Sequence, residues 1–254
     1  MIIVKLGGSV LTDKTKPFTI RYATLMNLIS DIRKYINETK NAMIIVLGGG
    51  SFGHFIVSKC IEDKGFIDEY CASLTSNVMN ELALHISRLF NISGLSTMVF
   101  TTHSIFTYDN YELKGDTKII NHYLKQQIVP ILYGDVILYK GRFKVLSGDE
   151  ISWYLASILN ADKLIFVTDV DGVYDRHPRY PNARHLPLIS LSKDLNKIRI
   201  ETRGYDVTGG IIGKLKIGLR YHRGFEVLII NGLIKGNLYK ALIGEKIKAT
   251  KVIP

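Results

Sequence analysis

The segment AMIIVLGGGSFGHF, residues 42–55, joins a short apolar run to a glycine-rich turn and a histidine. An apolar run of this length, rich in β-branched residues and stopped by glycine, is typical of a buried strand. Similar turns occur in KLGGS (5–9), SGDE (147–150) and DVTGGIIGK (206–214). Glycine allows backbone N–H groups to converge on an anion, and ligands of open α/β sheets bind beyond the carboxyl ends of strands. The four turns together predict a polyphosphate site.

Two familiar motifs compete for the turn at residues 48–53. The spacing of Gly48, Gly50 and Gly53 fits the dinucleotide fingerprint of a Rossmann fold. That fingerprint requires an acidic residue at the end of a strand about 20 residues further on. Asp68 and Glu69 lie at this distance, but the intervening SKCIEDKGF does not have the pattern of a strand.

The same turn also fits the nucleophile elbow of an α/β-hydrolase, with Ser51 at its centre. Such an enzyme needs an acid and a histidine further along the chain, for which Asp169 and His222 are candidates. This alternative leaves the lysines of the other turns without a role. A Walker P-loop is excluded because Thr208 stands where glycine is needed and Leu215 where Ser or Thr is needed.

Strand-like and helix-like patterns alternate along the chain. Apolar residues recur at helical spacing over residues 20–37, and residues 53–63, 68–91 and 150–159 also predict helices. Buried strands are predicted at the N-terminus and in several later runs, of which VPILYGDVILY (129–139) and RFKVL (142–146) resemble a hairpin. Alternation of this kind predicts an α/β sandwich with a largely parallel central sheet.

The composition and net charge of the chain indicate which kinds of ligand the protein binds. The 254 residues carry a formal charge of +10 with 46% hydrophobic residues, and no apolar run approaches 18 residues. We therefore expect a cytosolic protein with anionic ligands and no membrane partner. The basic residues are spread out, without an arginine-rich arm or zinc finger, so phosphorylated small molecules are favoured over nucleic acid. The scattered histidines predict no zinc site.

The two cysteines, Cys60 and Cys71, lie in segments that predict helices. Their spacing matches no metal motif, and disulfide frameworks have more cysteines in smaller chains. We expect two buried thiols.

Four motifs, in this order along the chain, resemble the amino acid kinase superfamily: K-x-G-G-S (5–9), the GGG turn, TDVDGVYD (168–175) and TGG-x-x-x-K (208–214). Within it, KLGGSVLTDK combined with GGGSFGH is similar to the isopentenyl phosphate kinases. The resemblance covers essentially the whole chain. It implies one domain, residues 1–254, with an open αβα sandwich. Residues 1–160 would form a phospho-acceptor lobe and residues 161–254 an ATP-binding lobe.

The resemblance implies phosphoryl transfer from ATP to isopentenyl phosphate, with Mg²⁺ held mainly by phosphates and water, and a homodimer. It places the nucleotide near Gly7, Gly8, Ser9, Gly50 and further residues of the second half: Asp169, Tyr174, Gly210 and Lys214. It places the acceptor near Gly8, Gly49, His54 and Gly148. Other small phosphates or phosphonates such as fosfomycin, or a non-catalytic nucleotide-binding regulator, remain open as alternatives.

Phosphoryl transfer between two anions requires positive charge at the transferred group. We expect Lys5, Lys14 and Lys214 to supply it, although an ordinary surface position is the alternative for each. Asp149 is expected to align the lysines by ion pairing, its alternative being a helix N-cap. Backbone N–H groups of Gly7, Gly8, Gly49 and Gly50 are expected to bind phosphate oxygens.

His54 follows the glycine turn at the predicted start of a helix. We expect its imidazole to hydrogen-bond the phosphate of the acceptor, which would select a phosphate where relatives select a carboxylate. The tail of the acceptor needs an apolar pocket. The residues after His54 could line this pocket. An apolar stripe on the following helix could also line it, although such a stripe is equally typical of core packing: Tyr70, Leu74, Val78 and Ile86.

Overall fold

One eight-stranded sheet runs through the part of the chain that the computed structural model describes, residues 1–195 and 210–254. The helices of these residues are α1 (Gly8–Leu11), α2 (Tyr22–Thr39), α3 (Gly50–Lys64), α4 (Glu69–Ile92), α5 (Thr102–Ile105), α6 (Lys118–Lys125), α7 (Gly148–Ile158), α8 (Gly210–Tyr221) and α9 (Asn237–Ile243). The strands are β1 (Ile2–Leu6), β2 (Met43–Leu47), β3 (Thr97–Val99), β4 (Phe106–Asp109), β5 (Glu112–Gly115), β6 (Val129–Tyr133), β7 (Asp135–Tyr139), β8 (Arg142–Leu146), β9 (Lys163–Thr168), β10 (Val173–Tyr174), β11 (His185–Leu186), β12 (Leu188–Ser190), β13 (Glu226–Asn231) and β14 (Ala249–Ile253).

The strand order of the large sheet is β12-β14-β13-β9-β1-β2-β6-β3. The six strands from β13 to β3 pair in parallel, whereas β14 pairs antiparallel with β13. β1 lies in the middle, with Leu6 opposite Leu47 of β2 and Val167 of β9. The predicted α/β class and largely parallel sheet are therefore confirmed.

The sheet is covered on both faces, as the apolar central strands require. Successive residues of a strand point to opposite faces. Accordingly, Val4 of β1 belongs to one buried cluster, with α2, α4 and α9, and Ile3 belongs to another, with α7 and α8. Trp153 of α7 is fully buried and donates its indole N–H to the carbonyl oxygen of Lys214 at 3.0 Å. Packing in the second cluster therefore holds α7 against α8. Asp149 lies on α7 and Lys214 lies on α8.

Most long predicted elements are confirmed, including α2, α4 and α7. The run VPILYGDVILY, expected to be one strand, is divided at Gly134 into β6 of the large sheet and β7, and only β7 forms the hairpin with β8. One boundary differs in a way that concerns the site. The glycine turn was expected to end before a helix at residue 53, but α3 already begins at Gly50. His54 therefore lies in the second turn of α3, not in its first.

The expectation of two buried thiols is wrong, because Cys60 and Cys71 form a disulfide with their Cα atoms 6.2 Å apart. The two cysteines lie near the end of α3 and the start of α4, which are joined by a short turn and pack against each other. Gly53 of α3 allows this packing, since a Cβ there would lie 2.8 Å from Sδ of Met79. The sequence spacing carried no sign of this approach, which depends on how the two helices pack.

The predicted boundary between residues 160 and 161 lies in the loop between α7 and β9. The large sheet continues across it, because β9 pairs with β1 along its whole length. The division into two lobes stays a prediction. Among the described helices, none is both long and apolar enough to cross a membrane.

Candidate active site

Four neighbouring strands of the large sheet end at the same edge, and three of them lead into turns that the sequence singled out. β9 leads into TDVDGVYD, β1 into the turn at Gly7 and Gly8, β2 into Gly48–Gly50, and β6 into Gly134 and Asp135. The carboxyl ends of adjacent parallel strands lie about 5 Å apart. The turns therefore form a row along the sheet edge in the order β9, β1, β2, β6.

The first two glycine turns touch each other through their backbones. A Cβ on Gly8 would lie 2.3 Å from the nitrogen of Gly50, and Gly50 has a positive φ of 49°. Thr12 fixes this contact: its hydroxyl donates to the Gly8 carbonyl at 2.7 Å and accepts from the N–H of Ser51 at 2.8 Å. Side chains at these two glycines would separate the turns.

A cleft of about 520 Å³, open to solvent, lies beside this contact. It is lined by residues from both glycine turns, α3, α4, the β7–β8 hairpin and the start of α7: Lys5, Gly8, Gly48, Gly49, Gly53, His54, Val57, Thr75, Gly134, Asp135, Val136, Val145, Leu146, Ser147, Gly148 and Asp149. The structure thus brings together Lys5, Gly8, Gly49, His54, Gly148 and Asp149 of the predicted site.

Asp149 lies between two lysines that are far from it in sequence. Its Oδ1 is 2.9 Å from Nζ of Lys5 and 2.5 Å from Nζ of Lys214. All three residues are buried, with 8% or less of their surface exposed. The helix N-cap is Ser147, whose hydroxyl accepts from the N–H of Glu150. Asp149 is therefore the ion-pair partner of both lysines and not a cap.

The charges of this cluster depend on one another. Burial by itself raises the pKa of the Asp149 carboxyl, but the ammonium groups of Lys214 and Lys5 outweigh burial and hold the pKa well below its ordinary value. Lys214 also lies 4.5 Å from the ring centre of Phe166. One carboxylate between two ammonium groups leaves one net positive charge at the carboxyl end of β1. An arrangement of this kind attracts a phosphate.

The row of turns continues on the β9 side, away from His54. The hydroxyl of Ser9 donates to Asp169 at 2.8 Å and so joins the first turn to TDVDGVYD. Tyr174 donates to Asp171 at 3.2 Å, and Asp171 also pairs with Lys248 at 2.8 Å. Gly210 begins α8, one turn before Lys214. Ser9 and Asp169 thus lie on the β9 side of Lys5, whereas Gly8 lines the cleft itself.

Three predicted features are placed differently or lie outside the described residues. Lys14 is exposed on the loop between α1 and α2 and does not line the cleft. The N–H of Gly7 donates to the Val167 carbonyl at 2.8 Å, so the sheet uses the donor that was expected to bind a phosphate. Residues 206–209 of the turn DVTGG lie outside the described part of the chain.

The hydrolase alternative does not fit the geometry. Ser51 is buried, and its hydroxyl accepts from the N–H of Thr19 at 3.2 Å. His222 stacks on Phe225, with ring centres 5.0 Å apart, on the face of the sheet formed by α7 and α8. Ser51 therefore supports the turn, and His222, the histidine expected to serve as its base, packs against Phe225 instead.

The cleft contains residues that sequence reasoning missed. Asp135, 2% exposed, follows β6, and the small cluster around Val57 and Val136 forms an apolar wall. Val57 does follow His54, as expected for a tail pocket. From α4, however, Thr75 lines the cleft, whereas the expected stripe does not: Tyr70 is exposed, and Val78 and Ile86 lie in the core. A GD pair inside the apolar run VPILYGDVILY was the available signal for Asp135.

Comparison with known proteins assigns the family. Residues 1–231 match the amino acid kinase family, and the chain belongs to this family. The chain is 33% identical to isopentenyl phosphate kinase of Methanothermobacter thermautotrophicus over 99% of its length and 98% of that protein. It is 31% identical to the isopentenyl phosphate kinase of Methanocaldococcus jannaschii over 96% of each chain. It is also similar to a crystal structure of isopentenyl phosphate kinase, with a TM-score of 0.80 at 29% identity, covering 99% of this chain and 98% of the other.

Proposed function

We propose that this protein is an ATP-dependent kinase that converts isopentenyl phosphate into isopentenyl diphosphate, releasing ADP. The observation that carries the proposal is the position of His54 in one cleft with Lys5 and Asp149, next to the paired glycine turns. The similarity to isopentenyl phosphate kinases over nearly the whole chain supports the same acceptor.

The acceptor oxygen needs no general base, because a phosphate monoester is already ionised near neutral pH. An oxygen of the acceptor phosphate forms a bond to the γ-phosphorus, and the bond from that phosphorus to the β–γ bridging oxygen breaks as ADP departs. The barrier arises mainly from repulsion between anions and from positioning. Residues that neutralise and align the two phosphates are therefore what this reaction needs.

Lys5 and Lys214 are the residues that we expect to neutralise the phosphates. Their ion pairs with Asp149 hold both ammonium groups in fixed positions before a substrate enters. Preorganised charges of this kind stabilise a transition state without reorganising during the reaction. Lys14 lies on an exposed loop, and we propose that this loop brings it over the bound phosphates, where it joins donor and acceptor.

The glycine turns fit the phosphates of both substrates. The contact between the backbones of Gly8 and Gly50 supports a role for their N–H groups at the border between the nucleotide and the acceptor. We assign Gly8 to both substrates, Gly50 to the nucleotide, and Gly49 with Gly148 to the acceptor phosphate. His54 donates to that phosphate, and Val57, Val136 and Val145 surround the first carbons of the tail.

The nucleotide side comprises Gly7, Ser9, Gly210 and the turn with Asp169 and Tyr174. In the described part of the chain, no group of three or more His, Cys, Asp or Glu residues could hold a metal ion. We propose that Mg²⁺ accompanies ATP on its phosphate oxygens and water. Residues 1–160 then serve as the acceptor lobe and residues 161–254 as the ATP lobe of one domain. We further propose a cytoplasmic homodimer.

The proposal is tested by measuring ADP release with a panel of acceptors: isopentenyl, dimethylallyl and geranyl phosphate, fosfomycin, UMP, acetylglutamate and carbamate. We expect turnover with isopentenyl phosphate and an increase of about 10- to 100-fold in its KM in His54→Ala, because one charge-assisted hydrogen bond is lost. His85→Ala is the control, since His85 lies on α4 and contacts Tyr22 instead of the cleft. Turnover confined to a carboxylate acceptor would refute the proposal.

A further inference from the structure

Asp135 lies in the cleft beyond the residues that bind phosphate. It follows β6, which pairs with β2, and β2 pairs with β1. With about 5 Å between strands, Asp135 lies roughly 10 Å along the sheet edge from the end of β1, on the side away from β9. In the proposed function this is the end of the cleft that receives the tail of the acceptor.

The carboxylate of Asp135 is buried and is satisfied by donors from three elements. It accepts from the hydroxyl of Ser76 in α4, from Nδ1 of His103 in α5 at 2.8 Å, and from the N–H of Val136 in β7 at 2.8 Å. The main-chain N–H of His103 adds a further contact at 3.3 Å. Because a carboxylate only accepts, Nδ1 of His103 carries its hydrogen. A buried carboxylate costs stability unless it is bonded in this way.

Two of these bonds, those from Ser76 and Val136, hold walls of the cleft in place. Ser76 follows Thr75, and Val136 follows Asp135 itself; both Thr75 and Val136 line the cleft. Val136 packs in the same apolar cluster as Val57. A small shift of α4 or β7 would therefore change the width of the cleft. The hydrogen bonds of Asp135 join α4, α5 and β7, whereas the ion pairs of Lys5 and Lys214 meet at Asp149.

We propose that Asp135 is a positioning residue that sets the width of the cleft for the acceptor tail. This inference rests on the proposed function, because it assumes that a short tail occupies this end of the cleft. Asp135 does not touch the reacting atoms. It acts through Thr75 and Val136, and its replacement should affect acceptor binding and leave the nucleotide side unchanged.

The test compares Asp135→Asn with wild type in steady-state kinetics with both substrates. The amide of asparagine turns one acceptor into a donor, which opposes either the N–H of Val136 or the N–H groups of His103, according to its orientation. We expect the KM for isopentenyl phosphate to rise about tenfold, with kcat and the KM for ATP within about twofold of wild type. His103→Gln should shift the same KM in the same direction by a smaller factor, because the main-chain N–H of His103 remains.

Asp31→Asn is the matched control. Asp31 also accepts a main-chain hydrogen bond, from the N–H of Tyr239, but it lies on α2 beside α9 and does not line the cleft. Asp31→Asn should lower the melting temperature of the protein without changing the KM for isopentenyl phosphate or the KM for ATP. An unchanged acceptor KM in folded Asp135→Asn, or equal increases in both KM values, would overturn the inference alone. Absence of isopentenyl phosphate turnover in the wild type would instead overturn the proposed function.

Discussion

Lys214 and Asp149, 65 residues apart in the chain, hold their charged groups 2.5 Å apart in a buried ion pair. Lys5 joins the same carboxylate oxygen from the central strand. The cluster connects β1, α7 and α8, and thereby the two parts of the chain that we assign to acceptor and nucleotide. Its geometry exists before any substrate binds, so the site needs little rearrangement of these charges.

Replacing Asp149 with asparagine should impair both stability and turnover. The two ammonium groups would remain buried without their counter-charge, which costs about 3–5 kcal/mol of unfolding free energy. Loss of their alignment should lower kcat by about 100-fold or more. Chemical denaturation and kinetics on the same preparation measure both effects. Glu112→Gln, which removes an exposed ion pair with Lys114, should change neither. Wild-type kcat in folded Asp149→Asn would contradict this role.

Acid should destabilise the wild type more steeply than Asp149→Asn. The pKa of Asp149 is depressed in the folded state, so its contribution is fully present above its unfolded pKa of about 4. As pH falls below that value the contribution is lost, by up to about 1.4 kcal/mol per pH unit. Denaturant titrations between pH 7 and pH 3 should show a constant difference between the two proteins down to about pH 4 and a narrowing difference below it. If the difference in unfolding free energy between the two proteins stays constant down to pH 3, the pKa of the Asp149 carboxyl is not depressed.

Lys14 and Lys16 offer a matched pair on one exposed loop. We expect Lys14→Met to lower kcat by about 100-fold, because an ammonium group at the transferred phosphoryl is lost. Lys16→Met, which removes the same charge two residues away, should stay within about twofold of wild type. Equal, small effects of both substitutions would indicate that the loop contributes only to the general positive potential.

The disulfide should contribute to stability. Cys60 and Cys71 close a loop of eleven residues between α3 and α4, which corresponds to about 3 kcal/mol in chain-entropy terms. Reductant should lower the unfolding midpoint of the wild type to that of Cys60→Ser/Cys71→Ser, and the double variant should not respond to reductant. If two free thiols are titrated in the native protein without reductant, the bond is not formed in solution.

Local patterns predicted much of the fold, whereas features that depend on packing were missed. α2 and β1 have clear periodicity or apolar runs, and the glycine turns marked the right edge of the sheet. The disulfide and the hydrogen bonds of Asp135 join elements that become neighbours only in the folded chain. For the same reason Thr75, and not the apolar stripe of α4, was found in the cleft, since the rotation of a helix about its axis is set by its neighbours.

The central claim is that the acceptor is a phosphate monoester with a short isoprenoid tail. The most direct measurement is ³¹P NMR of the wild type with ATP, Mg²⁺ and isopentenyl phosphate. Our account predicts that the single resonance of the monoester is replaced by the coupled pair of a diphosphate, with ADP formed in equal amount, and that this conversion is slower in His54→Ala when the acceptor concentration is below the KM of the variant. An unchanged monoester resonance, in a protein that binds ATP and phosphorylates a carboxylate substrate, would contradict it.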